Sequence, residues 1–596
     1  MIVEEEAQRR ILESIHLPMH LASPHVDAET SLSWWHKAVF YQVYLRSFAD
    51  ANDDGVGDIA GLIGRLPYIK ELGVDAVWIS PWYASPMLDG GYDVRNYFDT
   101  DPLFGSLEDV QTLIDLSHEL GLRVILDFVA NHCSSQHPWF QSALASAEGS
   151  IERDWFYFKD GRGEDRSEPP NDWKSIFGGP AWTQTENPDG TPGQWYFHLF
   201  DSSQPDLNLK NENVLIQFDN ILRFWFDRGV DGCRLDAVPA IGKDDDFRDM
   251  GFAPDDLYRP DIWGPVPFFD AEGVHDVLRR WRRVAREYPI EKFLVGEVVV
   301  RDVERLARYM RRDELQSTLS FDLSKMVWSA DAFRQMINTL HGACFERHSW
   351  ITWTLSSHDE KRTVSRYSQD GPSGVLGDVT PIGHERARAA YLLALALPGS
   401  ACIYQGEELG LWEVTDIHED KLQDPIYVRT GRQELGRDGC RVPLPWENEG
   451  PSLGFSTRHE TWLPQPQNWA NVSVATQLND ASSTLHFFRT VLALRSTLFN
   501  DDEWTINWEP SPVGVLILRR GPDFRCVVNF SGEPLRIRED EEAITSSSPF
   551  TDERVIGVNS GAWLRARRSL PSPRAKDYRL ALNRRQQGEE RRRRVK

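Results

Sequence analysis

Eight short apolar segments alternate with helical patterns along most of the chain, and this alternation limits the possible folds more than any other feature. The near-continuous apolar runs are typical of strands buried on both faces. The segments are residues 38–44, 76–80, 123–129, 233–237, 293–298, 318–322, 353–356 and 401–404. Strands separated by helices indicate a parallel sheet, and eight of them predict an α/β fold, a (β/α)8 TIM barrel. Its functional site is expected at the C-terminal ends of the strands.

The helix before the third strand can be predicted in some detail. Ser106 and Asp109 approximate a capping box, in which two side chains bind the free amides of the first turn. Leu113 and Leu116 follow at helical spacing. Gly121 is predicted to end the helix, since glycine accepts the left-handed conformation common there.

The alternation is interrupted by an irregular stretch rich in Pro, Gly, Trp and Asp, which predicts an inserted domain B after the third strand. After a predicted helix at 485–498, short apolar strands predict a small antiparallel β domain. The basic end of the chain has the composition of a disordered tail, although a reading-frame artefact would look the same. The predicted parts are an N-terminal extension (1–33), the first part of the barrel (34–130), domain B (131–210), the rest of the barrel (211–499), the C-terminal β domain (500–564) and the tail (565–596).

Composition narrows the classes of function. The net charge of −25 argues against nucleic acid as the main partner. No window approaches the length of an apolar membrane span, and the acidic N-terminus lacks the apolar core of a secretory signal. The six cysteines are scattered without metal-type spacing, which favours buried thiols in a cytoplasmic protein. No oligomeric state can be predicted from these features.

Two charged residues stand together in the fourth strand segment, Gly232-Cys-Arg-Leu-Asp-Ala237. Residues two apart on a strand point the same way, so Arg234 and Asp236 are expected side by side. A nearby positive charge lowers the pKa of a carboxyl group and keeps it ionised. That suits a nucleophilic carboxylate, but on these two residues alone a structural ion pair is equally consistent and is the commoner case.

Further acids fall at the ends of other predicted strands. Asp127 ends the third strand, Glu297 the fifth, and Asp359 follows the seventh. Acids that converge on one rim would repel one another if all were ionised. Such a site pushes their pKa values apart, so that the acids take different roles. Two carboxyl groups, one a nucleophile and one a proton donor, are what glycoside hydrolysis with retention of configuration needs.

Short motifs around these acids carry a family resemblance. They are Asp127-Phe-Val-Ala-Asn-His132, Gln204-Pro-Asp-Leu-Asn208, Gly232-Cys-Arg-Leu-Asp236, Gly296-Glu297 and His358-Asp359. In their order and on their strands, the chain from 34 to 564 resembles glycoside hydrolase family 13, the α-amylase family. The resemblance favours the catalytic interpretation of Arg234 and Asp236 over the structural one.

The resemblance implies three catalytic residues. Asp236 is then the nucleophile that forms a covalent glucosyl-enzyme, Glu297 the general acid and then base, and Asp359 the acid that binds the 2- and 3-hydroxyls. Asp236 must be ionised, which Arg234 favours, and Glu297 protonated, which a dry, acid-rich site favours. Asp127 is interpreted as structural, as a residue that orients Arg234 or the loop, because retention needs only two carboxyl groups in the covalent chemistry.

The resemblance also implies five substrate-binding residues: Asp93, His132, Arg234, His358 and Arg441. Either histidine alone could be a satisfied core residue, but each stands inside a matched motif. Asp93 in Gly91-Tyr-Asp-Val94 matches a residue that holds the terminal glucose. Arg441 matches an arginine that pairs with that acid and closes the pocket behind one glucose unit.

Within the family, the chain resembles bacterial exo-acting oligosaccharide α-glucosidases in three segments, 34–48, 178–182 and 440–446. The implied substrate is an α-linked gluco-oligosaccharide, from whose non-reducing end glucose is released. In similar enzymes a small residue after the nucleophile, here Ala237, accompanies a preference for α-1,4 bonds, so maltose-type substrates are expected.

Two alternative functions stay open. Leu235-Asp-Ala-Val-Pro239 also resembles trehalose synthase, so a transglucosidase or a maltose or sucrose isomerase is one of them. A non-catalytic relative is a third possibility, although such relatives typically lose catalytic carboxylates that this chain has.

A final motif, Asp50-Ala-Asn-Asp-Asp-Gly-Val-Gly-Asp58, places oxygen ligands at alternating positions. It lacks the closing glutamate of an EF-hand, since Gly61 stands at that position. The loop resembles the calcium loop of oligo-1,6-glucosidase relatives, which implies structural Ca²⁺, or Mg²⁺ in its place. The implied ligands are Asp50, Asn52, Asp54, Val56 through its carbonyl, and Asp58. The alternative is a polar turn after the first strand.

Overall fold

The computed structural model describes residues 33–567, except 188, 254–257, 261, 346–348, 369–379, 500–504, 551 and 553. The N-terminal extension predicted at 1–33 and the basic tail predicted at 565–596 lie outside the described residues, apart from Ser33 and residues 565–567. The chain divides into two units at Trp34, and the elements given below belong to the unit Trp35–Lys596.

Eight parallel strands close into a barrel, which confirms the predicted fold class. They are β1 (Val39–Val43), β2 (Ala76–Ile79), β3 (Arg123–Phe128), β4 (Gly232–Leu235), β5 (Phe293–Glu297), β6 (Ser317–Ser320), β7 (Trp350–Thr354) and β8 (Ser400–Tyr404). Each strand pairs with its neighbours in sequence, and β1 pairs with β8. The C-terminal ends of all eight strands therefore form one rim of the barrel.

Helices follow each barrel strand. They are Ile59–Leu72 after β1, Leu107–Glu119 after β2, Glu212–Asp227 after β3, Val238–Ile241 and Val274–Ala285 after β4, Val303–Arg308 after β5, Ala330–Phe345 after β6, Thr363–Tyr367 and Pro381–Ala396 after β7, and Pro425–Arg429, Val474–Leu478 and Thr484–Leu498 after β8.

The predicted capping box is confirmed at the start of the helix Leu107–Glu119. The Ser106 hydroxyl accepts a hydrogen bond from the Asp109 amide, and the Asp109 carboxylate accepts one from the Ser106 amide at 2.8 Å. Gly121 just beyond the helix has φ +71°, a left-handed conformation that a side chain would oppose. Sequence alone was therefore enough to place both ends of this helix.

The chain between β3 and Glu212–Asp227 forms a separate layer over the rim. It contains the helix Pro138–Ala145 and a three-stranded antiparallel sheet of Phe158–Lys159, Trp182–Glu186 and Pro192–Phe197. Its buried Trp173, Trp182 and Phe197 belong to the same apolar cluster as Phe268, which comes from the β4–β5 connection. A second segment therefore supports the insertion, a contact that the sequence did not reveal.

The C-terminal part is an antiparallel sheet, as predicted. Its strand order is Asn507–Trp508, Val515–Arg520, Phe524–Asn529, Ser560–Ala566 and Glu541–Ser546. The buried Trp563 donates to the carbonyl oxygen of Leu392 at 3.0 Å and so attaches the sheet to the helix Pro381–Ala396. Two shorter sheets complete the described strands, Leu535–Arg536 with Val555–Ile556 and Tyr83–Ala84 with Asn96–Thr100.

One strand prediction needs correction. The seventh strand was predicted at residues 353–356, but it spans Trp350–Thr354. Leu355 and Ser356 are buried without belonging to the strand, because the chain there already turns toward His358. Within the part of the chain that the structure describes, no helix has the length and apolarity of a membrane-spanning segment.

Candidate active site

Three of the four acids singled out in the sequence come from the neighbouring strands β3, β4 and β5, and the fourth follows β7, which β6 separates from β5. Asp127 lies in β3, Asp236 directly follows β4, Glu297 is the last residue of β5, and Asp359 follows β7. Their side chains differ in exposure, from 0 % for Asp127 to 10 % for Asp236, 20 % for Glu297 and 27 % for Asp359. The four acids therefore range from fully buried inside the barrel, as Asp127 is, to partly exposed at its rim, as Asp359 is.

Arg234 is the centre of this arrangement. Its Nη1 atom donates to Asp127 Oδ1 at 2.5 Å and to Asp236 Oδ1 at 2.7 Å, and its Nη2 atom donates to Glu297 Oε2 at 2.7 Å. The structure thus places Arg234 beside Asp236, as the two-residue spacing predicts. With 1 % of its side chain exposed and both terminal nitrogens engaged, Arg234 is suited to orient carboxylates, and sugar binding by Arg234 stays a prediction.

Glu297 is held from one side. Its Oε2 atom accepts from Arg234 and also from the amide of Ala237 at 3.0 Å. Ala237 has φ +42°, a left-handed conformation that is uncommon for residues other than glycine. This strained turn directs the amide that follows the predicted nucleophile toward the predicted acid, and both donors bind the same oxygen. Oε1 is then the oxygen suited to carry a transferable proton.

The balance of charge at Asp236 differs from the sequence-based expectation. Burial raises the pKa of Asp236, Arg234 lowers it, and Glu297, Asp127 and Asp359 raise it again, so that the pKa lies well above its usual range. The expectation counted the arginine but neither the burial nor the neighbouring acids. Among the acids, Glu297 contributes most to this increase. A proton on Glu297 would therefore ease the ionisation of Asp236, as in other coupled carboxyl pairs.

Asp127 has the surroundings of a structural acid. Besides Arg234, it accepts hydrogen bonds from Trp78 Nε1 at 2.8 Å and from the Tyr92 hydroxyl at 3.1 Å. Burial raises the pKa of Asp127 to about 6, although Arg234 and these donors oppose the shift. Asp127 is fully buried and all three donors are protein side chains, which supports its interpretation as a residue that orients Arg234.

Asp359 is surrounded by positive charge. Arg441 Nη2 and Arg437 Nη1 donate to its Oδ1 atom at 2.7 and 3.0 Å. Burial raises its pKa, but His358, Arg437 and Arg441 outweigh burial and hold the pKa of Asp359 well below its usual range. The two arginines therefore favour the ionised form of Asp359, which is suited to accept hydrogen bonds from sugar hydroxyls.

The predicted pair of Arg441 with Asp93 does not form. Among the described residues, the ion pair of Arg441 is with Asp359, and its Nε atom donates to the His358 carbonyl at 2.8 Å. Asp93 is fully buried and accepts from the Ser85 hydroxyl and from the amides of Leu88 and Asp89. Asp93 therefore stabilises a turn, and its contact with glucose stays a prediction.

Two residues that the sequence analysis missed take the place of that pair. Asp89, four residues before Asp93, pairs with Arg437 at 2.8 Å, and Arg437 also reaches Asp359. Burial raises the pKa of Asp89 to about 6, while Arg437 and Arg441 lower it. The signal was present in the sequence, since each lies four residues from a residue that had been singled out.

The two predicted histidines are neutral and buried. Burial lowers the pKa of His132 to about 4 and that of His358 well below its usual range. His358 lies between the rings of Tyr44 and Tyr92, at 5.5 and 5.3 Å, and its Nε2 atom is 3.2 Å from Asp359 Oδ2. His132 Nε2 lies 3.1 Å from both the Tyr92 carbonyl and Gln204 Nε2. Only His358 is directly adjacent to the carboxylate of Asp359, and sugar binding by both stays a prediction.

The predicted calcium loop is held by its own backbone. Asp50 accepts from the amides of Asp53 and Gly55, and Asp58 accepts from those of Ala51, Asn52 and Gly61, at 2.6–3.0 Å. Within the described ranges, no three His, Cys, Asp or Glu side chains are grouped so as to hold a metal ion. Calcium binding through Asp50, Asn52, Asp54, Val56 and Asp58 stays a prediction.

A parallel barrel that gathers two arginine-bridged carboxylates at the ends of β4 and β5, with an anion after β7, has the site of a glycoside-cleaving enzyme. Residues 42–501 match the family described as "Alpha amylase, catalytic domain". The chain belongs to the α-amylase family, glycoside hydrolase family 13, and is an enzyme of that family.

Similar proteins fall within the same family. The chain is 38 % identical over 521 residues to a probable α-glucosidase of Rhizobium meliloti (strain 1021), covering 85 % of this chain and 91 % of that protein. It is 34 % identical over 495 residues to a probable oligo-1,6-glucosidase 3 of Bacillus subtilis (strain 168), covering 78 % and 84 %. Among solved structures, the α-glucosyl transfer enzyme XgtA has a TM-score of 0.78 and 35 % identity, over 90 % of this chain and 100 % of that one. An isomaltulose synthase variant from Erwinia rhapontici NX5 has a TM-score of 0.78 and 29 % identity over the same shares.

Proposed function

We propose that the protein is a retaining, exo-acting α-glucosidase that releases glucose from the non-reducing end of α-linked gluco-oligosaccharides. The observation that carries this proposal is that Arg234 bridges the two carboxyl groups: its two terminal nitrogens donate to Asp236 and to Glu297, each at 2.7 Å. One bridging group keeps the two carboxyl groups close together, as covalent catalysis with retention requires. An inverting enzyme needs a wider gap that admits water between them.

In the proposed reaction, Asp236 attacks the anomeric carbon while Glu297 protonates the leaving oxygen. The bond from glucose to the leaving sugar breaks, and a glucosyl ester forms on Asp236. Glu297, now ionised, accepts a proton from water as the water attacks the ester, which frees glucose and restores both acids. Asp359 stabilises the positive charge that develops on the sugar ring, because the two arginines favour its ionised form.

Attack on chain ends is supported by the charged residues around Asp359. Arg441 and Arg437 both bind its carboxylate, and Arg437 continues to Asp89. We take this group of charges as the wall that binds the hydroxyls of a single terminal glucose. The maltose-type preference is proposed from Ala237, whose small side chain directly follows the nucleophile.

A second candidate is a transglucosidase or a maltose or sucrose isomerase. It is favoured by the similarity to structures named as an α-glucosyl transfer enzyme and a trehalulose synthase. Such an enzyme would use the same glucosyl-enzyme but pass glucose to a sugar instead of water. A non-catalytic binding protein is disfavoured, because Asp236, Glu297 and Asp359 are all present and meet in one site.

We further propose a cytoplasmic location. All six cysteines are buried and free of disulfide bonds, which fits a reducing compartment.

The deciding experiment is product analysis on maltose, isomaltose, sucrose and trehalose. The proposal predicts that maltose is the best substrate and that glucose is the only product. Trehalose or longer oligomers from maltose, or an isomerised product from sucrose, would instead support the second candidate. No turnover of any of the four sugars would support the non-catalytic alternative.

A further inference from the structure

The loop after β8 is fastened to the inserted domain by one side chain. Arg429 ends the helix Pro425–Arg429, and each of its nitrogens faces the insertion. Nε donates to the Gly178 carbonyl at 3.0 Å, Nη2 to the Pro180 carbonyl at 3.1 Å and Nη1 to the Asp201 carboxylate at 3.3 Å. Three donors of one planar group thus meet three acceptors of another part of the chain, which fixes direction as well as distance.

The same short helix is connected to the catalytic acid at its other end. Asp424 caps the helix by accepting from the Ile426 amide, and its Oδ2 atom accepts from Arg437 Nε at 2.6 Å. Arg437 in turn donates to Asp359 at 3.0 Å and to Asp89 at 2.8 Å. One end of the helix therefore contacts the insertion through Arg429, and the other end contacts Arg437, which binds Asp359.

An aromatic contact reinforces this connection. The ring of Phe177, next to Gly178 in the insertion, lies 4.9 Å from the guanidinium of Arg437. The insertion therefore supports Arg437 twice, once through Phe177 and once through the helix that Arg429 fastens. Arg437 itself lies in a loop just before a 3-10 turn, and its backbone amide donates to Asp424 Oδ2 at 2.7 Å, so the residue that caps the helix also holds the main chain of Arg437.

We propose that Arg429 is a positioning residue that holds Arg437 against Asp359 by fastening the β8 loop to the inserted domain. This inference rests on the proposed function. When the contact of Arg429 is lost, the loop exchanges between a docked and an undocked position, and only the docked position presents the complete glucose pocket. Every ligand that places glucose there then binds more weakly by the same factor, the inverse of the docked fraction.

The test compares Arg429→Gln with the wild type. We expect the KM for maltose, the KM for an aryl α-glucoside and the inhibition constant of free glucose to rise together by about tenfold, since a charge-assisted contact is lost. The melting temperature should change little. Asp201→Asn, which removes only the charged acceptor, should raise the same three constants together by a smaller factor.

The matched control is Arg432→Gln. Arg432 lies on the same loop, but it is exposed and pairs with Glu419 within that loop. Its replacement should leave all three constants unchanged. The inference is overturned if Arg429→Gln and Asp201→Asn both keep wild-type constants, or if KM rises without the glucose inhibition constant. A wild type that does not hydrolyse any α-glucoside would instead refute the proposed function, before any variant is made.

Discussion

At the scale of single residues, the site depends on one arginine, Arg234, which donates hydrogen bonds to three carboxyl groups. Arg234 was predicted from sequence as the partner of Asp236, and Asp127 as a residue that orients Arg234 or the loop, but the bond of Arg234 to Glu297 was not predicted. Spacing along a strand shows which neighbours share a face. It does not show which loop residues meet there, and for that reason Asp89 and Arg437, which both lie in loops, were missed while Asp236 was found.

Glu297→Gln tests the role of the general acid. Hydrolysis of maltose should fall by about 10²–10⁴-fold, because the leaving sugar needs a proton. Cleavage of α-glucosyl fluoride should fall far less in its first step, since fluoride leaves without one. Comparison of kcat/KM for the two substrates measures this difference, with Glu287→Gln, an exposed acid paired with Arg223, as the control. Equal losses on both substrates would contradict the assignment.

Ala237→Val tests the residue that follows the nucleophile. Ala237 is in the left-handed region, where a β-branched side chain is strained, and its amide binds Glu297. We expect the ratio of maltose to isomaltose activity to fall by about tenfold, as one or two methyl groups can change discrimination in a pocket by that amount. Ala237→Gly, which adds no side chain and relieves the strain, should keep the wild-type ratio. A valine variant with that same ratio would show that this position does not select the linkage.

At the scale of elements, the strands were predictable because burial on both faces leaves a nearly pure apolar pattern. All eight barrel strands were predicted, and errors were confined to their ends, as at β7. The contacts between loops could not be predicted, because they join residues that are far apart in sequence. The packing of Phe268 into the cluster of Trp173 is one example, and the connection from Arg429 to Gly178 is another.

The helix Pro138–Ala145 provides a prediction about pH. Its first amides are capped by His137, whose Nδ1 atom accepts from the Trp139 amide at 3.1 Å, and burial lowers the pKa of His137 from 6.5 to about 3. Between these values the unfolded chain binds a proton that the folded chain does not, so stability is lost as the pH falls below 6.5.

His137→Asn keeps a capping oxygen but cannot titrate. The free energy of unfolding should therefore fall less between pH 7 and pH 5 in this variant than in the wild type, by about 2 kcal/mol. Urea titrations at the two pH values measure the difference. The exposed His459, replaced by Asn, is the control and should give the wild-type dependence. An unchanged dependence in His137→Asn would show that burial does not keep this histidine neutral.

The loop between β1 and Ile59–Leu72 gives a prediction about metal. If it binds calcium as its sequence predicts, saturating Ca²⁺ should raise the free energy of unfolding by about 2.7 kcal/mol at one hundred times the dissociation constant. Asp54→Ala should abolish that increase, because Asp54 is exposed and its side chain binds only the Val56 amide within the described structure. Asp53→Asn should retain it, since Asp53 is not a predicted ligand. No effect of calcium or of a chelator on the wild type would identify the loop as a polar turn.

At the scale of the whole molecule, three parts of the chain meet above one rim of the barrel. The strands supply the acids, the insertion after β3 supplies Gly178, Pro180 and Asp201, and the loop after β8 supplies Arg437 and Arg441. The barrel could be predicted from periodicity, and the acids from their position on it. The enclosure of the site could not, because it depends on how the two loops pack together.

The central claim is that Asp236 forms a covalent bond with glucose. The most direct measurement is peptide mapping by mass spectrometry after reaction with an activated fluoroglucoside, whose fluorine slows hydrolysis of the ester while its good leaving group lets the ester form. We predict one fluoroglucosyl group on the peptide that contains Asp236, and none in Asp236→Asn. A label on Asp127 or Glu297 instead, or complete inactivation without a label, would contradict this account.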